Sequence, residues 1–273
     1  MSILTKLNSK MVKSEITDFI KKISIESNYD TIILGLSGGI DSSVVAYLLK
    51  EALPSEKIHT YHLSSSTTPK EDTEHARLIA KKFNLNYEEI AIDDILNKYL
   101  NNISQEAIDL DNNKNLKIAI GNLKARIRMT ILYHFANIKN GLVAGTGNRS
   151  ELLIGYMTKF GDGACDFELI GDIYKSQLKD LAKSWNIPNE VIDKAPQAGL
   201  WNNQTDEEEI GMTYDILDQV LYLIEDRKLK NDEILNKINI SLSEINRIRN
   251  RINNNRHKTQ IPPSPFADRK MIF

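Results

Sequence analysis

The stretch with the clearest chemical signature is residues 34–43, Leu-Gly-Leu-Ser-Gly-Gly-Ile-Asp-Ser-Ser. It lies between a short apolar run and an apolar helical pattern, which predicts a turn leading from a strand into a helix. Gly38 and Gly39 allow the backbone to wrap closely around a ligand, and the free N–H groups that open a helix attract anions. Asp41 would repel phosphate unless a cation such as Mg²⁺ lay between them. The pattern predicts a phosphate site, although an ordinary glycine-rich turn with a Ser/Asp cap would look similar.

Two later segments carry further candidates. Residues 146–151, Thr-Gly-Asn-Arg-Ser-Glu, form another glycine-bearing turn after an apolar run, and the carboxylate of Glu151 could hold a metal. Residues 155–166 place a lysine and two aspartates among glycines, which is unusual for a plain surface loop. Lys175 stands near the start of a predicted helix, where its charge opposes the helix dipole. It therefore indicates either an anionic partner or simply a solvated lysine.

The elements around these turns alternate between strand and helix. Strands are predicted at residues 31–34, 58–63, 87–92 and 141–145, and helices at 3–26, 44–49, 71–83, 93–108 and 121–138. This alternation predicts an α/β fold, a doubly wound, Rossmann-like parallel sheet with helices on both faces. Ligands bind at the carboxyl ends of the strands in such sheets, where the turns described above lie. Since the chain has no internal repeat or low-complexity linker, residues 1–273 are predicted to form a single domain.

The helix predicted at 121–138 carries two arginines. Arg126 and Arg128 are two positions apart and lie on different helix faces, so at most one should contact a given ligand. Apolar residues occupy several faces of this helix, so more than one layer should cover it. The polar segments 109–116 and 198–207 are predicted to be mobile without ligand, because they offer little apolar surface to fix them.

Composition excludes several classes of protein. With 35 basic and 37 acidic residues the chain has no general polyanion-binding charge. A single cysteine, Cys165, excludes an internal disulfide framework and, with five scattered histidines, argues against structural zinc. No run of about eighteen apolar residues predicts a membrane span, and the N-terminal residues lack a signal-peptide pattern. A cytoplasmic protein is expected, with no membrane partner.

The C-terminal stretch 241–258 is basic and allows a second interpretation. Two short helices predicted at 232–238 and 243–252 could form a helix-turn-helix that binds nucleic acid. The pattern is generic, however, and basic helix faces are usually solvated. No nucleic-acid partner is therefore expected.

The motifs together resemble a known family. Ser-Gly-Gly-Ile-Asp-Ser at 37–42 is neither a Walker A nor a G-x-G-x-x-G motif and resembles the loop of the PP-loop ATP pyrophosphatases. Over residues 12–265 the chain is similar to ammonia-dependent NAD synthetases, and the similarity rests on six motifs in order. These are S-G-G-I-D-S, N-L-K-A-R-I-R-M, G-T-G-N-R-S-E, G-Y-M-T-K-F-G-D-G, A-G-L-W-N-N-Q-T-D-E and the closing H-K.

This resemblance implies an adenine nucleotide alpha hydrolase-like fold and a ligase that uses deamido-NAD⁺, ATP and ammonia. It implies NAD⁺, AMP and pyrophosphate as products, Mg²⁺ as cofactor and a homodimer. The implied ATP-binding residues are Gly35, Leu36, Ser37, Gly38, Gly39, Ile40, Asp41, Ser42, Thr146, Lys175 and Gln197. The implied magnesium ligands are Asp41 and Glu151, and the implied deamido-NAD⁺ residues are Arg126, Lys159, Asp166, His257 and Lys258.

One residue departs from the family pattern. A small hydroxyl residue is usual where this chain has Gln197, and a glutamine can still donate a hydrogen bond, with a longer reach.

Cys165 is a candidate nucleophile, but a lone cysteine without a placed histidine is weak evidence, and we assign no covalent nucleophile. Glutamine-using enzymes of this type need an additional amidase module, which would not fit beside this one in 273 residues, so free ammonia, or ammonia from a separate protein, is expected. Two rivals stay open, namely another PP-loop enzyme and a non-catalytic nucleotide sensor.

Overall fold

The structure is a computed structural model, and it describes residues 3–29, 31–103, 114–197, 199–201 and 204–263. The described residues form a five-stranded sheet in the order β3-β2-β1-β4-β5, with every pair parallel. This confirms the predicted doubly wound α/β fold. The strands are β1 (Thr31–Gly35), β2 (Ile58–Ser64), β3 (Asn86–Ala91), β4 (Gly141–Gly145) and β5 (Phe167–Glu168).

The helices follow the strands in the alternation that the sequence predicts. Beside them, residues 55–57 and 256–258 form 3₁₀ turns and residues 222–226 a π-helical turn. The α-helices are α1 (Ser9–Ser27), α2 (Ile40–Ala52), α3 (Lys70–Phe83), α4 (Asp93–Ile103), α5 (Lys114–Lys139), α6 (Arg149–Ile154), α7 (Lys175–Ser184), α8 (Asn189–Ile192), α9 (Asp206–Ile210), α10 (Tyr214–Leu221), α11 (Asn231–Leu235) and α12 (Leu242–Asn255).

The central strand β1 is apolar and buried at its three inner residues because both faces of the sheet are covered. Ile32 and Leu34 pack on one face, in a core shared with α1, α2, α3, α7 and α8. Ile33 points to the other face, in a core shared with α4 and α5. All three side chains are fully buried, as expected for a strand inside a parallel sheet.

A third apolar core joins the C-terminal helices to the helices that follow β4. It contains Ile154 of α6, Leu217 of α10 and Ile248 of α12, all completely buried. Since α6 begins just after β4 and α10 packs against both α6 and α7, this core holds the residues that follow β4 in place.

Two boundaries differ from the sequence prediction. The first helix begins at Ser9, not at residue 3, because Asn8 caps it with its side chain. Met11 and Phe19, which were placed on its packing stripe, are exposed, whereas Ile20 is buried as predicted. The spacing of apolar residues alone did not show which of two neighbouring stripes on α1 faces the core.

The helix predicted from residue 121 begins at Lys114, so the end of the polar segment predicted to be mobile is helical. The rest of that segment, 109–113, lies outside the described residues. So do the last residues of the helix predicted to reach residue 108, and residues 198, 202 and 203 of the second predicted mobile segment. Among the residues described, no helix combines the length and apolarity needed to cross a bilayer.

Candidate active site

The glycine-rich turn lies at the carboxyl end of β1, the middle strand of the sheet. Gly38 adopts a φ of +89°, and a Cβ atom there would collide with the backbone carbonyl of Asp72, so glycine is required. Gly39 caps α2 without offering a side-chain acceptor, which leaves the first amide groups of the helix available to a ligand. Ser37 and Ser42 bring their hydroxyls within 3.0 Å of each other. The strand–turn–helix geometry is as predicted and offers the donors that phosphate binding needs.

Three charged side chains meet beside this turn. The ammonium group of Lys175, the first residue of α7, contacts the carboxylate of Asp41 and lies 3.3 Å from Oε1 of Glu151. Only 2% of Lys175 is exposed, so the solvated-lysine interpretation is wrong. Burial by itself lowers the pKa of the ammonium, but the two carboxylates raise the pKa of Lys175 above its ordinary value. A positive charge therefore lies between the two acids that the sequence predicts as metal ligands.

The two acids are oriented by Asn148, which the sequence analysis did not single out. Its Nδ2 donates to Oδ1 of Asp41 over 2.9 Å, while its Oδ1 accepts the amide of Glu151 over 3.1 Å and caps α6. Asn148 is fully buried. A single amide thus ties the acid of the PP-loop to the acid that follows β4.

A third carboxylate supports this arrangement from α9. Asp206 is buried and accepts hydrogen bonds from the hydroxyls of Tyr156, over 3.1 Å, and Tyr214, over 3.3 Å. The Tyr214 hydroxyl also lies 3.4 Å from Oε1 of Glu151. Burial raises the pKa of Asp206 to about 6 and also raises the pKa of Glu151. The site is an interior cluster of acids and tyrosines around one lysine.

Asp218 of α10 holds the two helices that deliver Glu151 and Lys175. It is completely buried, accepts the hydroxyl of Ser150, and accepts the amide of Ser176 over 2.8 Å. The Ser150 oxygen in turn accepts the amide of Lys175 over 2.9 Å. Asp218 therefore joins the first turns of α6 and α7.

The other flank of the turn carries Gln197, the residue that departs from the family pattern. Its Nε2 lies 3.5 Å from Oδ2 of Asp72, and the Asp72 carboxylate also forms an ion pair with Lys194. Since the backbone of Asp72 packs directly against Gly38, both side chains lie close to the PP-loop.

These groups line one cleft of about 620 Å³ at the carboxyl edge of the sheet. Gly38 is the one residue predicted to bind ATP that does not line its wall. The predicted residues that do line it are Gly35, Leu36, Ser37, Gly39, Ile40, Asp41, Ser42, Thr146, Glu151, Lys175, Gln197 and Lys258.

Of the five residues predicted to bind deamido-NAD⁺, Lys258 lies in the cleft wall. Its ammonium donates to the backbone carbonyls of Gly155, over 2.6 Å, and Met157, over 2.9 Å. The C-terminal 3₁₀ turn therefore folds back onto the glycine-rich segment 155–166.

The remaining predicted dinucleotide residues lie outside that wall. Lys159 donates to the backbone carbonyl of His257 over 2.8 Å, and Arg126 donates to the carbonyl of Lys159 over 3.3 Å. Asp166 is exposed and accepts the hydroxyl of Tyr133 over 3.3 Å. Arg126 and Tyr133 are seven positions apart on α5 and share one helix face. These residues form an outer rim beside the cleft.

Cys165 gives no sign of an activated thiol. Its Sγ donates to Oε1 of Glu168 over 3.3 Å, and burial together with the nearby carboxylate raises the pKa of the thiol. A thiolate nucleophile needs the opposite environment, with a lowered pKa.

Comparison with known proteins identifies the family. A sequence model described as NAD synthase matches residues 12–262. The chain belongs to the NAD synthase family. It is 44% identical over 254 residues to the NH(3)-dependent NAD(+) synthetase of Methanocaldococcus jannaschii, covering 93% of this chain and 96% of that protein.

Solved structures of similar proteins agree with the NAD synthase fold. The NH3-dependent NAD synthetase of Campylobacter jejuni is 32% identical with a TM-score of 0.78, covering 94% of this chain and 99% of that one. The NMN synthetase of Francisella tularensis is 30% identical with a TM-score of 0.81, covering 96% and 100%.

Several polar residues of this NAD synthase cleft were missed by sequence reasoning. Asn148 is part of the quoted turn at 146–151, and its position just before Arg149, at the start of α6, is a cap signal that could have found it. Asp206 and Asp218 carry no such signal, because their partners are 50 and 68 residues away in sequence. Arg128, which was set aside in favour of Arg126, lines the cleft while Arg126 is exposed.

Proposed function

We propose that the chain makes NAD⁺ from deamido-NAD⁺, ATP and ammonia, releasing AMP and pyrophosphate through an acyl-adenylate. The observation that carries this proposal is the near-full-length match to the NAD synthase family and to relatives named NH(3)-dependent NAD(+) synthetase. The cleft supports it, since a PP-loop turn and a buried lysine–carboxylate cluster face the same space.

The first chemical step activates the carboxylate of the substrate, which is a poor acyl donor because its leaving group would be oxide. A carboxylate oxygen attacks the α-phosphorus of ATP, a P–O bond to the β-phosphate breaks, and pyrophosphate leaves. Negative charge builds on the departing pyrophosphate, so positioning and electrostatic stabilisation should dominate catalysis. The amide groups that open α2, the hydroxyl of Ser42 and the ammonium of Lys175 would bind these phosphates.

The second step transfers nitrogen. Ammonia attacks the acyl carbon, the C–O bond to AMP breaks, the nitrogen loses a proton, and AMP leaves with one former carboxylate oxygen. No covalent bond to the enzyme is required, which agrees with the unactivated thiol of Cys165.

Asp41 and Glu151 would hold Mg²⁺. Among the described residues no group of three or more His, Cys, Asp or Glu forms a self-contained metal site, but Mg²⁺ in nucleotide enzymes typically uses one or two carboxylates plus substrate phosphates. The Lys175 ammonium already lies in contact with both acids, so the space between them suits a cation. When bound there, Mg²⁺ would neutralise phosphate oxygens.

We also infer that the outer rim binds the dinucleotide in a homodimer. Hydrogen bonds link Arg126 to Lys159 and Lys159 to His257, and the next residue, Lys258, lies in the cleft wall. Exposed apolar side chains accompany them, with Phe160 59% and Ile138 of α5 64% exposed. Sedimentation at micromolar concentration is expected to give a dimer, with activity lost on dilution. A fully active monomer would refute this.

A second candidate deserves a direct test because a solved structure named NMN synthetase matches the chain well. Both activities would use the same adenylation and amidation, and they differ in whether the substrate is a dinucleotide or a mononucleotide. The experiment compares the rates of amide formation with deamido-NAD⁺ and with nicotinate mononucleotide, while measuring AMP and pyrophosphate. Higher kcat/KM for deamido-NAD⁺ supports the proposal, and higher kcat/KM for the mononucleotide supports the alternative. Release of ADP and phosphate, or no amide from either substrate, would exclude both.

A further inference from the structure

Arg128 of α5 is a partly buried cation with an incomplete set of partners. Its Nε donates to the backbone carbonyl of Leu63, at the carboxyl end of β2, over 2.8 Å. Within the described part of the chain its terminal nitrogens have no hydrogen-bond acceptor, and no carboxylate lies within 4.0 Å to form an ion pair. Burial lowers the pKa of the guanidinium. Burying a charge without a partner is costly, so the missing partner needs an explanation.

The surrounding residues strengthen this point. Lys124 lies one turn earlier on α5, is 5% exposed, and donates only to neutral acceptors, the Thr67 hydroxyl over 2.8 Å and the Leu200 carbonyl over 3.0 Å. Like charges at this helical spacing repel each other, and burial together with the Arg128 charge lowers the pKa of Lys124. A buried lysine and a partly buried arginine thus adjoin each other without an ion pair among the described residues.

The two nearest acids are occupied elsewhere. Asp93 accepts the amide of Ser66 over 3.0 Å, and Asp162 accepts the amide of Thr158 over 2.9 Å. Both attract the Arg128 guanidinium only at longer range. They offset its charge without supplying hydrogen-bond acceptors to its terminal nitrogens.

The unpartnered end of Arg128 faces the substrate cleft. Arg128 lines that cleft. Its terminal nitrogens lack a hydrogen-bond partner, and they are not among the polar atoms that the described residues enclose completely. They are therefore accessible from the cleft. Leu132, one turn later on α5, contacts the position of Gly35 at the start of the PP-loop. One helical turn rises about 5.4 Å, so Arg128 lies about one turn of α5 away from the residue that reaches the start of the PP-loop.

We propose that Arg128 binds an oxyanion that the substrate brings into the cleft. The planar guanidinium fork suits the paired oxygens of a carboxylate or a phosphate. In the proposed reaction, on which this inference rests, these are the carboxylate and pyrophosphate of deamido-NAD⁺ or the phosphates of ATP. The bond from Nε to Leu63 then serves to aim the fork.

The test measures binding, so it does not require turnover. Arg128→Met keeps most of the unbranched apolar stem and removes the charge, and Arg128→Lys keeps the charge and removes the fork. Each is titrated calorimetrically with ATP, deamido-NAD⁺ and NAD⁺ in the absence of ammonia. The control is Arg249→Met, since Arg249 also donates to a backbone carbonyl, that of Leu229 over 2.6 Å, and does not line the cleft.

We expect Arg128→Met to weaken the binding of one substrate by about ten- to hundred-fold, the range for a charge-assisted hydrogen bond. Arg128→Lys should show a smaller loss of affinity. A loss for ATP assigns the oxyanion to its phosphates. A loss for deamido-NAD⁺ but not NAD⁺ assigns it to the carboxylate, and a loss for both dinucleotides assigns it to their pyrophosphate.

Unchanged affinities for all three ligands in a folded Arg128 variant, with loss of stability like that of Arg249→Met, would make Arg128 structural and overturn the proposal. Arg128→Lys decides the matter should Arg128→Met not fold. If the wild type binds ATP but forms no NAD⁺, the proposed function fails while these titrations still decide the role of Arg128.

Discussion

Replacing Lys175 with methionine tests whether this lysine compensates the two buried acids. Methionine fills much of the same volume but leaves Asp41 and Glu151 facing each other, with side chains 19% and 17% exposed. Removing one partner of a buried ion pair costs about 3–5 kcal/mol. Glu151 can relieve part of this cost by taking up a proton, because burial raises its pKa. We therefore expect the free energy of unfolding to fall by about 3 kcal/mol. For a chain of this size that corresponds to a fall in Tm of about 6–12 °C.

The thermal stability of the same variant should depend on Mg²⁺. In the wild type without nucleotide the Lys175 ammonium contacts both carboxylates and competes with a metal for them, whereas in Lys175→Met this competition is removed. A metal that binds the folded state but not the unfolded chain stabilises the folded state, so millimolar Mg²⁺ should raise the Tm of the variant by more than it raises that of the wild type. The assay is thermal unfolding, followed by circular dichroism, with and without Mg²⁺ and with no nucleotide present.

The control is Lys183→Met, which removes an exposed lysine from the same helix and should change Tm little at either Mg²⁺ concentration. The reasoning is refuted if Lys175→Met unfolds at the wild-type temperature. It is also refuted if Mg²⁺ raises the Tm of the variant no more than that of the wild type.

Three further predictions follow from the same geometry. Asp41→Asn should lower the rate of NAD⁺ formation at limiting Mg²⁺ by at least about ten-fold, and a Mg²⁺ titration of the rate checks this; a variant with the wild-type Mg²⁺ dependence would remove Asp41 from the metal site. Burial raises the pKa of Glu168 from 4.5 to about 7, so the folded protein retains a proton that the unfolded chain releases, and stability is lost as pH rises through this window. The free energy of unfolding of Glu168→Gln, relative to that of the wild type, should therefore rise by about 2 kcal/mol from about pH 5 to pH 8. Urea unfolding at both pH values measures this difference, and a difference independent of pH would contradict it. Asp218→Ala should lower the free energy of unfolding by about 2–4 kcal/mol, because the hydroxyl of Ser150 and the amide of Ser176 lose their acceptor in the interior. A value from urea unfolding within about 0.5 kcal/mol of the wild type, roughly the effect of a surface change, would contradict this.

The order of strands and helices could be predicted because each is encoded locally. The inner residues of β1 are buried and apolar, and Gly38, which follows, is needed where the backbone turns against Asp72. The two-residue strand β5 was missed, because a segment that short carries no periodicity. The start of α5 was placed seven residues late, at 121 instead of Lys114, because polar residues open the helix.

The cleft was predictable where its residues belong to contiguous motifs and not where distant residues meet. The acid of the PP-loop, Glu151 and Lys175 were all named from sequence, but their direct contact was not. Asp218 acts through hydrogen bonds to Ser150 and Ser176, 68 and 42 residues away. Helix geometry correctly separated Arg126 from Arg128, yet could not tell which one faces the cleft, because that depends on how α5 is rotated against the sheet.

The most direct test of the proposed reaction follows the carboxylate oxygen. Deamido-NAD⁺ labelled with ¹⁸O in its nicotinate carboxylate is converted with ATP, Mg²⁺ and ammonia, and the products are analysed by mass spectrometry. If the carboxylate attacks the α-phosphorus, AMP carries one ¹⁸O atom and pyrophosphate carries none. Unlabelled AMP, or label in pyrophosphate or orthophosphate, would contradict adenylation of deamido-NAD⁺ in this cleft.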